Sequence, residues 1–328
     1  MAERFTSAGS LPSPATIAAL LADAHRRLRD VDEGRLSTVY PALERASPAH
    51  FGLAVVGVDG IAYEAGDARV EFSLMSVAKP FVFALACQRA GIDRVRALVG
   101  VDATGLPFNS AQAVELRADG RTNPMVNAGA IATTSLIEGE SVEERWRVLA
   151  EGLSRFAGRM LTLDAEMLAS ARATNTRNRA LALLLQGAGA IAGDPMEATE
   201  LYTRQSCLSV TALDLATMGA TLADGGVNPV SGERVVDAEV ARAALAAMTI
   251  AGLYETSGSW LMDVGVPGKS GISGGIVAVS PGKGALGVFS PLLDAEGNSV
   301  RGQRAACLLS EELGLDILAS QPLPPPAS

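Results

Sequence analysis

Histidine is almost missing from this chain. His25 and His50 are the only two in 328 residues, and both lie near the start. A serine–histidine–aspartate hydrolase would have to use one of them, so a serine enzyme built from this sequence needs some other base. Cysteine is scarce too. Cys87, Cys207 and Cys307 are scattered in apolar, helix-like surroundings. With no C-x-x-C pair they suggest neither zinc nor redox work, and they read as reduced thiols of a cytosolic protein. There is no Lys/Arg cluster and the net charge is −9, which argues against a grip on nucleic acid. The longest soft stretch, 180–193, contains Gln186 and three glycines. It falls short of the ~20 apolar residues a membrane span needs. The start, Met1 to Phe5, is charged and lacks the apolar core of a signal peptide. The expectation is a soluble cytoplasmic protein with no metal, no nucleic-acid partner and no membrane partner.

What the chain does have is apolar mass, 48% of its residues, enough for a sizeable core without staples. By length it is about two domains' worth of chain, or one large one. Its chemistry gathers at Ser76-Val77-Ala78-Lys79. Pro80 lacks an N–H and is tolerated only in a first helical turn, so a helix must begin near Ser76. A serine three residues before a lysine at that point shares its face, beside N–H groups and the positive end of the dipole. A lysine in apolar surroundings sheds its proton readily and serves as a base. Together these make an activated nucleophile. The bare pattern is unspecific: Ser280-Pro281-Gly282-Lys283 matches it and reads as a turn. The apolar helix after Ser76, and Lys269-Ser270-Gly271 before a later strand, set the first copy apart.

Strand signals sit at both ends. Phe51 to Val58 and Ile61 to Glu64 flank an Asp59-Gly60 turn, with a further edge at 68–72; Gly275 to Ser280 and Ala285 to Ser290 form a second hairpin. Helical periodicity marks 16–29, 142–156, 179–186, 238–248 and 303–313, and Thr211 to Asp214 reads as a capping box. The simplest closure is an α+β fold: one antiparallel sheet from the terminal strands, covered by helices, with a helical subdomain inserted. This predicts a single domain over 10–317, its sheet part about 10–74 and 255–317 and its helical part about 75–254. A proline-rich tail, 318–328, is not expected to pack.

Further stretches complete a pattern: Gly105 to Ser110, Asn123 to Ile131, Arg177-Asn178-Arg179, Leu201-Tyr202, Gly252 to Gly258 and Val264 to Gly275. With Ser76 to Lys79, these resemble the serine-dependent glutaminase family on the β-lactamase-like fold, over roughly residues 15 to 315. The resemblance implies hydrolysis of L-glutamine to glutamate and ammonia through an acyl-serine, without a cofactor, in dimers or tetramers. It makes Ser76 the nucleophile, Lys79 its base and Tyr254 a proton relay. The N–H groups of Ser76 and Ile272 would hold the oxyanion. Asn127, Asn178 and Tyr202 would orient the substrate, and Lys269 would raise the positive field. Two departures stand out. The family has a glutamate at the position of Ala171, where it meets the substrate's α-ammonium, and a tyrosine at the position of Val39, with Tyr40 one step off. They imply weakened or altered substrate recognition, unless Glu166 or another carboxylate compensates. The rival readings are a β-lactam-processing enzyme, whose Ser-Asp-Asn signature is missing, and a non-catalytic homologue that binds an amino-acid-like ligand.

Overall fold

The structure, a computed structural model, describes residues 9–320. The amino-terminal residues Met1 to Phe5 and the tail from Gln321 lie outside them. Among the described residues there are eight strands: β1 (Gly52–Gly57), β2 (Ala62–Gly66), β3 (Phe72–Ser73), β4 (Thr162–Leu163), β5 (Leu208–Val210), β6 (Gly268–Ser270), β7 (Gly275–Ser280) and β8 (Gly284–Phe289). Five of them form one antiparallel sheet in the order β2-β1-β8-β7-β6. The two expected hairpins thus meet at β1 and β8, with Val55 opposite Leu286. The fold is α+β and β-lactamase-like.

Strands β1, β6, β7 and β8 are buried on both faces while β2 forms a largely exposed edge, and strand alternation sorts the side chains into two cores. Leu53, Val55, Ile276, Leu286 and Val288 pack with Ile17, Leu21, Trp260, Leu309 and Leu313. These come from helices Pro14–Leu28, Ser257–Val264 and Val300–Leu313. Ala54, Val56, Val277, Val279 and Phe289 point the other way, toward Leu215 and Met218 of helix Ala212–Ala223 and on into the helical half. That helix starts at the capping box predicted from the sequence. Thr211 Oγ1 accepts from the Asp214 N–H and Asp214 returns the bond, while Arg159 clamps the same carboxylate with two nitrogens.

One expectation changes. The edge predicted at 68–72 does not join the main sheet. β3 pairs instead with β5 in a second, three-stranded sheet, β3-β5-β4. Phe72 of β3 still stacks on Phe289 of β8, with ring centroids 4.1 Å apart. The Leu74 N–H donates to the Leu208 carbonyl at 2.8 Å, so this small sheet anchors the chain just before Ser76. Helices at 92–99, 127–135, 165–174 and 195–206 fill out the middle.

Close approach between sheet and helix depends on Gly287, which lies under the Ala212 carbonyl and the Ala216 N–H; a methyl there would collide with both. Gly187, at the end of helix Thr176–Gly187, faces open space. Gly287→Ala should therefore destabilise the protein by about 1–3 kcal/mol through overpacking, whereas Gly187→Ala should be neutral or stabilising by up to about 1 kcal/mol. Urea unfolding of both variants checks this; equal effects would contradict the packing.

Candidate active site

Ser76 lies in a short 3-10 turn, Met75–Val77, that leads directly into helix Ala78–Ala90. The entry is strained: Met75 has φ 47°, in the left-handed region that bulky residues avoid. Such strain marks positions held by their surroundings. The surroundings here are the chain after β6. Gly271 packs against Val77, the Leu74 carbonyl and Met75, which brings Ile272 to the same cleft as Ser76. Among the described residues, the N–H groups of Ser76 and Ile272 donate to no acceptor. Two unspent donors at a helix start suit an oxygen that gains negative charge.

Around the serine hydroxyl stand two phenols. Tyr202 and Tyr254 both stand close to it, although the Tyr202 hydroxyl donates to Asn127 Oδ1 and the Tyr254 hydroxyl to the Ser270 carbonyl. Burial drives Tyr254 up to about 12 and Tyr202 well above its ordinary value. Both stay protonated at neutral pH, so they serve as donors and not as bases. Tyr254 is the second strained residue, with φ 56°. Its ring packs on Phe108, centroids 4.4 Å apart, and its hydroxyl lies 3.4 Å from the Ser270 carbonyl.

Lys79 is completely enclosed, and burial pulls its amine down to about 7. Nζ lies 2.7 Å from Asn127 Oδ1 and 3.3 Å from the Met125 carbonyl; among the described residues no carboxylate pairs with it. Those two acceptors take both N–H groups of a neutral amine, leaving its lone pair as the remaining direction. Asn127 Oδ1 also accepts from the Tyr202 hydroxyl at 3.2 Å, and its Nδ2 donates to Asn178 Oδ1 at 3.0 Å. Asn178 in turn donates to Asn175 Oδ1 at 2.6 Å. Ser76, Asn127, Asn178, Tyr202 and Ile272 line one cleft of about 100 Å³, on the scale of a small molecule.

Lys269 is placed differently from the expectation. It does not line the cleft but is wholly buried behind Tyr254, Nζ 4.3 Å from the ring centroid. Its amine donates to the Gly252 and Ser270 carbonyls, each at 2.7 Å. Burial, with help from nearby Lys79, holds it well below the usual lysine value. It braces the loop that presents Tyr254 and has no site hydroxyl among its partners.

The two departures also resolve in space. Val39 sits at the cleft mouth, 53% exposed, while the neighbouring Tyr40 turns inward and lines the cleft beside Asn178. Tyr40 thus supplies a phenol to the cleft from the adjacent position. Ala171 is buried behind the wall with Met75 and Tyr40. Glu166 does not compensate: it pairs with Arg45 and is absent from the cleft lining. His25 binds the Phe51 carbonyl and His50 lies by Asp67; neither lines the cleft. Asn175 and Phe108 were not singled out from the sequence, although Phe108 lies in the matched stretch Gly105 to Ser110. A wider, largely apolar groove of about 730 Å³ between helices Ala212–Ala223 and Ala238–Ala251 carries none of these groups.

Residues 34–318 match the family model for Glutaminase. "Glutaminase 2" of Yersinia pestis is 57% identical over 318 residues, covering 97% of this chain and 94% of that protein. A solved structure named "Probable glutaminase ybaS" superposes with a TM-score of 0.93 at 41% identity, over 94% of this chain and all of the other (100%). The crystal structure of Mglu in its glutamate form gives 0.88 at 37% identity, over 95% of this chain and 71% of that one.

Asn127→Leu removes the nearer acceptor of the Lys79 amine. The folded-state value near 7 lies below the ordinary 10.5, so the native amine is charged only below about pH 7, where losing an acceptor costs most. The variant should lose about 1–3 kcal/mol of stability at pH 6 and less at pH 9. Denaturant melts at the two pH values measure it; a loss larger at pH 9 would contradict the assignment.

Proposed function

Since this chain belongs to the glutaminase family and hydrolyses glutamine to glutamate, we propose that Ser76 attacks the side-chain amide and that Lys79 takes its proton. The supporting observation is the contrast in proton affinity among three buried side chains of the site. Tyr254 is held near 12 and Tyr202 well above its ordinary value, whereas Lys79 is held near 7. Only the amine accepts a proton at neutral pH, and only the phenols have one to give.

The reaction then divides in two. Ser76 Oγ adds to the amide carbon, its proton passes to Lys79, and the carbonyl oxygen moves between the Ser76 and Ile272 N–H groups. The C–N bond breaks as the leaving nitrogen is protonated by Tyr254, which regains its proton from Lys79. A water molecule then attacks the ester with Lys79 again as base, releasing glutamate and restoring the serine. Asn127, Asn178, Tyr202 and Tyr40 line the cleft and orient the substrate. Lys269 acts through Tyr254 as a positioning residue. No cofactor takes part in this sequence. We place the enzyme in the cytoplasm as a homodimer or homotetramer of single domains spanning about 10–317, with glutamine as its small-molecule partner. Mglu, a relative solved in its glutamate form, supports a product site in the same cleft.

Ser76→Ala should lower kcat/KM for glutamine by at least about 1000-fold with little change in folding. For the native enzyme kcat/KM should rise with pH through a midpoint near 7, as Lys79 loses its proton. Ammonia release across pH 5.5–9 gives both results. A flat profile, or activity kept without the serine hydroxyl, would rule out this assignment.

A further inference from the structure

The cleft that receives the substrate contains no carboxylate. Fourteen residues line it, and the charged one among them is Arg177, a cation. Its Nε donates to the Asn109 carbonyl at 3.0 Å, and no carboxylate pairs with its guanidinium among the described residues. The neutral acceptors are largely spent on each other. Asn127 Oδ1 serves Lys79 and Tyr202, Asn178 Oδ1 serves Asn127, and Asn175 Oδ1 serves Asn178. Behind the wall, Ala171 offers only a methyl group.

Asp164, Glu166 and Asp294 are engaged elsewhere, and Glu296 lies outside the cleft lining. Asp164 caps its helix and takes the Ser73 hydroxyl, and Glu166 pairs with Arg45. Asp294 and Glu296 line an adjoining hollow beyond Val39 and Phe108. There, Asp294 accepts from the N–H groups of Glu296 and Asn298 and from Gln303 Nε2; Glu296 is exposed.

An α-amino acid brings an ammonium with three donors, and burying it without an anion is costly. A carboxylate, by contrast, finds a cation there in Arg177. We propose that this site is selective for the carboxylate and side-chain amide of its substrate and indifferent to the α-amino group. It therefore hydrolyses ω-monoamides of five-carbon dicarboxylic acids, glutaric acid monoamide as readily as glutamine. The inference rests on the acyl-serine reading above, and the bonds are the same. Ser76 Oγ replaces nitrogen on the amide carbon, ammonia leaves with the serine proton, and water cleaves the ester to give glutarate.

The test compares ammonia release from L-glutamine and from glutaric acid monoamide, using the native enzyme and three variants. The native kcat/KM values should agree within about tenfold. Thr174→Glu, at the exposed mouth, and Ala171→Glu, in the wall, each supply an anion. Each should shift the ratio toward glutamine by about tenfold to a hundredfold, the worth of one charge-assisted hydrogen bond. If Ala171→Glu fails to fold, Thr174→Glu still decides. A native preference for glutamine above tenfold, or a ratio unmoved in a folded variant, overturns the proposal. Ser76→Ala should abolish both activities; if it does not, the acyl-serine reading fails instead, whatever the ratio.

Discussion

An amine enclosed without a carboxylate is the constraint on which this structure turns. A buried ammonium is expensive unless it is paired, and Lys79 has only two carbonyl oxygens for company. Water would remove the effect, and an acid would reverse it by favouring the charge. The closely packed helical half keeps both away: Phe81, Ile131 and Leu201 belong to one buried cluster around helix Ala78–Ala90. The same burial acts on the phenols in the opposite sense, raising Tyr202 and Tyr254. One physical cause, desolvation, thus lowers the proton affinity of the amine and raises that of the phenols.

The two halves of the molecule divide the work. The helical half supplies Ser76, the Lys79 amine and most of the polar groups that line the cleft. The sheet half supplies β6 and the turn after it, which carries Ile272 and braces Tyr254 through Lys269. They meet where Gly271 packs on the turn before Ser76. Both left-handed residues, Met75 and Tyr254, lie at this seam. Their backbone strain, of order 1–3 kcal/mol each, is sustained by packing on both sides and keeps hydroxyl and phenol in register.

Much of this could be read from local sequence. Pro80 fixes a first turn, so the helix start near Ser76 followed from covalent geometry alone. Asp59-Gly60 and Pro281-Gly282 announced their hairpins, and Thr211 with Asp214 announced its helix. Other features depend on tertiary contacts that no local pattern encodes. A two-residue strand such as β3 has no periodicity to detect, and its partner, β5, lies far along the chain. Tyr40 serves the site because the chain turns at Pro41 into a short 3-10 helix, Pro41–Arg45, which aims the neighbour of the expected position inward. Lys269 was expected to raise the positive field of the cleft, yet it is sealed behind an aromatic ring. The absence of an acid from the cleft is legible only once all the lining residues are assembled.

The central claim concerns the ionisation of one side chain, and the composition makes it measurable. Lys79, Lys269 and Lys283 are the only three lysines in the chain, so 13Cε-labelled lysine gives a sparse spectrum that Lys79→Met assigns. Titrated by NMR without substrate, the Lys79 resonance should move with a midpoint near 7. A midpoint near the ordinary lysine value of about 10.4 would show the amine charged at neutral pH and contradict its role as the base.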